Sequence, residues 1–195
     1  MKRYADIERT TRETKIKAAI HLDGAGEYDI TTGIPFFDHM LTLFSVHGFF
    51  DLTVSAVGDI AVDHHHTVED VGLVMGDLIG TAMGDRKGIR RYGFAEVPMD
   101  DALTAVTIDL SNRPYLVYRL PEGFNNRPEG QTLLYKEFFR ALANRSGMNL
   151  HINMRYGDND HHVIESVFKA FARSLDQATG IDERVSRVLS SKGVL

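Results

Sequence analysis

Two heptads nearly a hundred residues apart constrain this chain more than any other feature. His65-His66-Thr67-Val68-Glu69-Asp70-Val71 and His161-His162-Val163-Ile164-Glu165-Ser166-Val167 agree at four of seven positions. Each copy follows a strand-like stretch and opens a helix-like one. An internal repeat decides architecture before any single element does. Both halves run strands, helix, glycine, strand, helix, which predicts a duplicated α/β half of roughly 90 residues about a pseudo-twofold.

Alternation of apolar and polar residues predicts strands over 14–22, 28–34, 50–57, 103–110, 115–120 and 149–156. Helical periodicity covers 37–46, 63–83, 133–144 and 161–178. Gly48 and Gly147 are read as stops for the first and third helices. Residues 84–93 read as a basic loop, 111–114 as a turn and 121–131 as a polar loop. The halves divide as 1–92 and 93–195, in one compact unit.

On a helical wheel Glu69 lies about 40° from His65, and His66 about 100° away. Val68, Val71, Met75, Leu78 and Ile79 share a separate core arc. In the second copy Ile164, Val167, Phe171 and Leu175 form the core arc, and His161, Glu165 and His162 repeat the polar one. A His with a Glu four positions on places an imidazole and a carboxylate one turn apart, within reach of one divalent ion. The adjacent His turns toward a different ion or partner. A single HH pair is more often a cap or a surface feature; two copies in the same phase favour metal. Gly72 and Gly76 border the ligand arc and leave room for another chain or a ligand.

Composition narrows the metal. The 195 residues include nine His and no Cys. Thiolate catalysis, disulfides and Cys-type zinc or iron–sulfur sites are excluded, and nitrogen and oxygen donors point to Mn, Zn, Fe, Co or Ni. The net charge of −5 argues against a nucleic-acid binder. No apolar run is long enough to span a membrane, and the polar N-terminus is not a secretory signal, so a cytoplasmic protein is expected. There is no P-loop, GxGxxG or GxSxG. Asp38-His39 opens the first-half helix, and Glu137 holds the equivalent place 98 positions on. Arg90, Arg91, Arg113 and Lys192 are read either as a phosphate cluster or as solvated surface.

The ordered stretches RTTRETKI, LDGAG, GIPFFDHML, HGFFDL, DHHHTVEDVG, GIRRYG, PMDDAL, DLSNRPYL, FFRALA, GDNDHHVIESVFKAFARSL and SSKGVL closely resemble the imidazoleglycerol-phosphate dehydratases of histidine biosynthesis, over almost the whole chain. The resemblance implies an α/β (α+β) fold of two fused half-domains. Each is a mostly antiparallel four-stranded sheet packed on two helices. It implies a lyase that converts D-erythro-imidazoleglycerol 3-phosphate, a small phosphate ester, to imidazoleacetol phosphate. It implies two Mn²⁺ per active site and 24 subunits with sites at their contacts. The family's metal ligands fall on His39, His65, His66, Glu69, His161, His162 and Glu165. The eighth, a His in many members, falls on Glu137. Its phosphate-binding positions match Arg91, Arg113, Ser191 and Lys192, with Ser190 adjacent. Its acid/base carboxylate matches Glu13, otherwise readable as a solvated strand-end charge, and His47 falls in a substrate-contacting segment. Some members carry a fused phosphatase domain, for which this chain is too short.

The substrate's chemistry fits such a site. The C–H to be broken has no carbonyl beside it, so the imidazole ring is the electron store. A metal on a ring nitrogen favours a metal-bound imidazolate, which expels the hydroxyl before a base takes the carbon-bound proton. Two alternatives remain at this point: a dinuclear metal hydrolase, and a non-enzymatic metal-binding oligomer.

Overall fold

A computed structural model describes residues 3–121 and 131–195. In the first half β1 (Tyr4–Thr10), β2 (Thr14–His21), β3 (Tyr28–Thr31) and β4 (Asp51–Gly58) form a sheet in the order β1-β2-β4-β3, with α1 (Pro35–Gly48) and α2 (His65–Met83). In the second, β5 (Tyr92–Met99), β6 (Ala102–Asp109), β7 (Tyr115–Arg119) and β8 (Asn149–Tyr156) run β5-β6-β8-β7, with α3 (Gln131–Ser146) and α4 (Asp160–Thr179). Each sheet is antiparallel except for one parallel pair, β3 with β4 and β7 with β8. The duplicated architecture therefore holds down to strand order and sense.

Two strands depart from the residue-by-residue reading. β1 lies in the polar terminus, and β5 begins in the expected loop and runs through residues given no element, yet each pairs along its full length with one neighbour, Tyr4 opposite His21 and Tyr92 opposite Asp109. Both are edge strands, with only Ala5 and Gly93 buried. An edge strand needs little apolar alternation, and it tolerates Pro98, whose missing N–H a central strand would require. β3 is also shorter than expected, ending at Thr31. Of the loop expected over 121–131, residues 122–130 lie outside the described residues.

The helices join the halves. α2 packs on β1 and β2, α4 on β5 and β6, α1 on α4 and α2 on α3. Aromatic rings bind the layer together. Phe37 meets Phe138 at 5.4 Å, Phe138 meets Phe168 at 5.5 Å, Phe139 meets Phe171 at 5.3 Å, and Phe44 stacks on Phe171 at 5.6 Å. The predicted core arcs of α2 and α4 are buried throughout.

Two glycine readings need correction, those of Gly72 and Gly76. α1 does end at Gly48, although the left-handed cap is Phe49 at φ 56°. A Cβ on Gly48 would collide with the Phe50 ring and sit 3.2 Å from the Ala172 carbonyl oxygen of α4. Gly72 and Gly76 do not open α2 to another chain. They receive α3 of the same chain: a Cβ on Gly72 would lie 2.6 Å from the Phe138 carbonyl oxygen, and one on Gly76 2.6 Å from that of Leu142. Backbone cannot step aside as a side chain can. Gly72→Ala is therefore expected to destabilise the fold by about 1–3 kcal/mol. Gly80→Ala, whose Cβ would find nothing closer than 3.7 Å, is expected to be neutral or stabilising by up to about 1 kcal/mol. Thermal melts of the two variants check the contrast; equal effects would contradict the packing described.

Candidate metal centre

The α1–α4 contact brings three donors together. His39 lies one turn into α1, and His161 and Glu165 lie on the first turns of α4. Glu165 Oε2 is 3.2 Å from His161 Nε2 and 3.6 Å from His39 Nε2. All three donor atoms lie within 4.8 Å of one another. Ligands about 2.1 Å from an ion on adjacent octahedral corners stand about 3 Å apart, so the trio needs little closing to bind one. Asn159 caps α4 by accepting from the His161 backbone N–H at 2.9 Å. The Phe36 ring lies edge-on to the His161 ring at 5.1 Å. Glu165 is buried, and burial alone would raise its pKa. Lys169, with Nζ 2.5 Å from Oε1, and the two histidines outweigh that and hold it below the usual value.

The repeat places the corresponding residues, His65, Glu69 and Glu137, where α2 meets α3, although among the described residues only the first trio has its donor atoms within 4.8 Å of one another. His65 Nε2 is 3.3 Å from Glu69 Oε2. Glu137 stands where His39 stands in the first group, but its Oε2 is ion-paired with Arg140. That oxygen is buried and makes no hydrogen bond. Arg140 Nη2 also lies 3.7 Å from Glu69 Oε1.

The second His of each pair faces elsewhere, as the wheel predicts. The rings of His65 and His66 stand at 83° to each other, those of His161 and His162 at 84°. His66 Nδ1 lies 3.0 Å from Asp59 Oδ2 and 4.0 Å from Glu13 Oε2. His162 Nδ1 pairs with Asp101 Oδ1, and its Nε2 is 3.5 Å from Asp100. The hydrogen bond to Asp59 raises the pKa of His66, and that to Asp101 raises His162. A carboxylate on one ring nitrogen fixes the ring and makes the other a better donor. Glu13 is exposed in the bend between β1 and β2, beside His66 rather than beside either trio.

The basic residues gather at a different place. Arg91, Arg113, Ser190, Ser191 and Lys192 line one open cleft of about 440 Å³. Arg91 is not solvated surface. It is 9% exposed, donates to Asp109 from Nε at 2.6 Å and Nη2 at 3.0 Å, and donates from Nη1 to the Leu189 carbonyl at 2.6 Å. Arg113 is exposed, 3.9 Å from Asp109. The Lys192 N–H donates to Ser190 Oγ at 3.2 Å. Arg90 falls outside this cleft and lines a neighbouring one with Asp182 and Arg184.

The Arg91 backbone N–H bonds the Ala178 carbonyl at the far end of α4. Seventeen helical residues separate Ala178 from His161, about 25 Å. Within one chain the trio and the basic cleft are therefore too far apart to grip one small molecule. His47 occupies the last turn of α1, half-buried; burial and then Lys169 and Arg173 lower its pKa.

Sequence reasoning missed Lys169, Arg140, Asp59, Asp101 and Asp109. Lys169 and Arg140 had a readable signal, since they follow Glu165 by four positions and Glu137 by three. The three aspartates reach their partners only through the tertiary fold.

Residues 32–175 match the sequence profile of the family described as imidazoleglycerol-phosphate dehydratase. The curated protein of that name from Desulfosudis oleivorans is 58% identical over 199 residues, and that from Geobacter sulfurreducens 53% over 195, each match covering all of both chains. The crystal structure of the Staphylococcus aureus dehydratase superposes with a TM-score of 0.80 at 36% identity, over 92% of this chain and 99% of that one. The Pyrococcus furiosus dehydratase, in complex with (S)-C348, also superposes at 0.80, with 34% identity over 97% and 100%.

Proposed function

This chain belongs to the imidazoleglycerol-phosphate dehydratase family of histidine biosynthesis, and we propose that it dehydrates its substrate at a two-manganese centre shared between copies of the chain. Membership in a dehydratase family sets aside the hydrolase and metal-store alternatives. The observation that carries the metal reading is the His39–His161–Glu165 trio, with its counterpart at the place the repeat dictates.

His39, His161 and Glu165 hold one ion; His65, Glu69 and Glu137 hold the other. His66 and His162 turn away from these trios and supply ligands across a subunit contact. Bound Mn²⁺ supplies a Lewis acid that favours the imidazolate form of the substrate ring. Arg91, Arg113, Ser190, Ser191 and Lys192 anchor the phosphate, and His47 contacts the substrate. Anchoring there directs binding energy into orientation at the reacting carbons. The C–O bond breaks, and the hydroxide leaves as water with the proton that the ring N–H gave up. Glu13 Oε2 then takes the carbon-bound proton and returns it to the ring, and the resulting enol becomes the ketone of imidazoleacetol phosphate.

The separation along α4 supports a site completed by a second copy. From the family resemblance, the proposal extends to a cytoplasmic homo-oligomer of 24 subunits, with neither nucleic acid nor membrane as partner. Among the described residues no helix is long and apolar enough to cross a membrane. Co-expressing His161→Asn with Lys192→Ala tests the sharing. Each variant alone should be nearly inactive after Mn²⁺ is restored, while mixed assemblies recover roughly a quarter of wild-type turnover, since random pairing leaves about one site in four intact. No recovery would place the whole site in one chain. A wild-type assembly that binds Mn²⁺ without turnover would sink the dehydratase mechanism.

A further inference from the structure

The two trios are not equivalent, although the repeat makes their positions so. The first has two imidazoles and one carboxylate; the second has one imidazole and two carboxylates. A second difference accompanies the first. Arg140 follows Glu137 by three positions, while the residue 98 positions before it is Thr42. The extra carboxylate and the extra cation occur together, on α3 and not on α1.

The atoms show what the cation does. In the first trio Lys169 Nζ holds Glu165 Oε1 and leaves Oε2 facing both histidines. In the second, Arg140 Nη2 lies on Glu69 Oε1 and leaves Oε2 facing His65. The same nitrogen holds Glu137 Oε2. One guanidinium nitrogen thus lies against one oxygen of each carboxylate, while Glu69 Oε2 stays on His65.

We propose that Arg140 is a positioning residue that clamps Glu69 and Glu137 so that each offers a single oxygen to the ion of the second trio. The inference rests on the two-metal reading above. One-oxygen carboxylates suit a compact octahedral ion, while carboxylates free to bind through both oxygens suit the higher coordination number of Ca²⁺. Arg140 therefore tunes selectivity as well as affinity. It acts through its two partners and touches neither substrate nor ion.

The experiment is a titration of metal-stripped, assembled protein with Mn²⁺, counting free ion by its paramagnetic resonance signal, with Ca²⁺ as competitor. Wild type should bind two Mn²⁺ per chain. Arg140→Gln should keep one at wild-type affinity and weaken the other by roughly 10- to 100-fold, with Ca²⁺ competing better at the weakened site. Arg140→Lys should fall between. The Arg140 side chain is 52% exposed, so neither change removes a core group. Unchanged affinity at both sites in Arg140→Gln, equal loss at both, or an unaltered preference for Mn²⁺ over Ca²⁺ would overturn the proposal. Wild type that binds fewer than two ions per chain would overturn the two-metal reading itself, and this inference with it.

Discussion

Glu165→Gln is expected to lower turnover by at least about 1,000-fold, even with saturating Mn²⁺. One oxygen, Oε2, faces both His39 and His161, so the change touches two of the three pairs in the trio. An amide keeps the shape but removes the charge that offsets a divalent ion. It also leaves Lys169, drawn to Oε1 in the native chain, as an uncompensated cation close to the metal. Losing a partner of a metal ligand commonly costs 10- to 100-fold in affinity or activity, and losing a charged ligand costs more. Metal content per chain should fall from two toward one, because the second trio is built on other helices. Measured metal content and kcat of the purified assembly check both numbers. Two tightly held ions in Glu165→Gln would show that the trio is not a metal site.

Arg91→Ala should have the second largest effect, and it should appear in two measurements at once. The guanidinium ties Asp109 on β6 to the Leu189 carbonyl of the C-terminal segment. Its removal strands a mostly buried carboxylate, a change that typically costs about 3–5 kcal/mol. At this chain length each kcal/mol shifts the melting temperature by roughly 2–4 °C. It also frees the segment carrying Ser190, Ser191 and Lys192, so KM should rise by about 100-fold or more, with a smaller change in kcat. Arg113→Ala supplies the contrast. That side chain is 73% exposed and touches Asp109 only at 3.9 Å. It should raise KM with little change in melting temperature. If Arg91→Ala melts like wild type, the buried fork is not holding the segment. If Arg113→Ala leaves KM unchanged, the cleft does not bind phosphate.

These expectations separate what was legible in the chain from what was not. The twin heptads were legible because chemistry and helical period coincide in them. Their core arcs had to be buried, and the polar arcs had to fall where His and Glu share a turn. The clamps were half legible, as charge pairs at helical spacing. β1 and β5 were not, because an edge strand is set by backbone pairing and carries little side-chain pattern. The roles of Gly72 and Gly76 were misread for a related reason. Smallness shows that something approaches closely, but not what.

The sequence by itself therefore determined the duplication, the helices that carry the donors, the donor types and the exclusion of sulfur chemistry, since all of these follow from local period and residue identity. Only the tertiary structure decided which helix meets which. It set His39 against His161 and Glu165 rather than against His65, turned Glu137 toward Arg140, buried Arg91 on Asp109 and put the basic cleft at the far end of α4. Those relations depend on packing between residues far apart in the chain, where ring stacking and backbone-to-glycine contacts select one arrangement among many with the same local pattern.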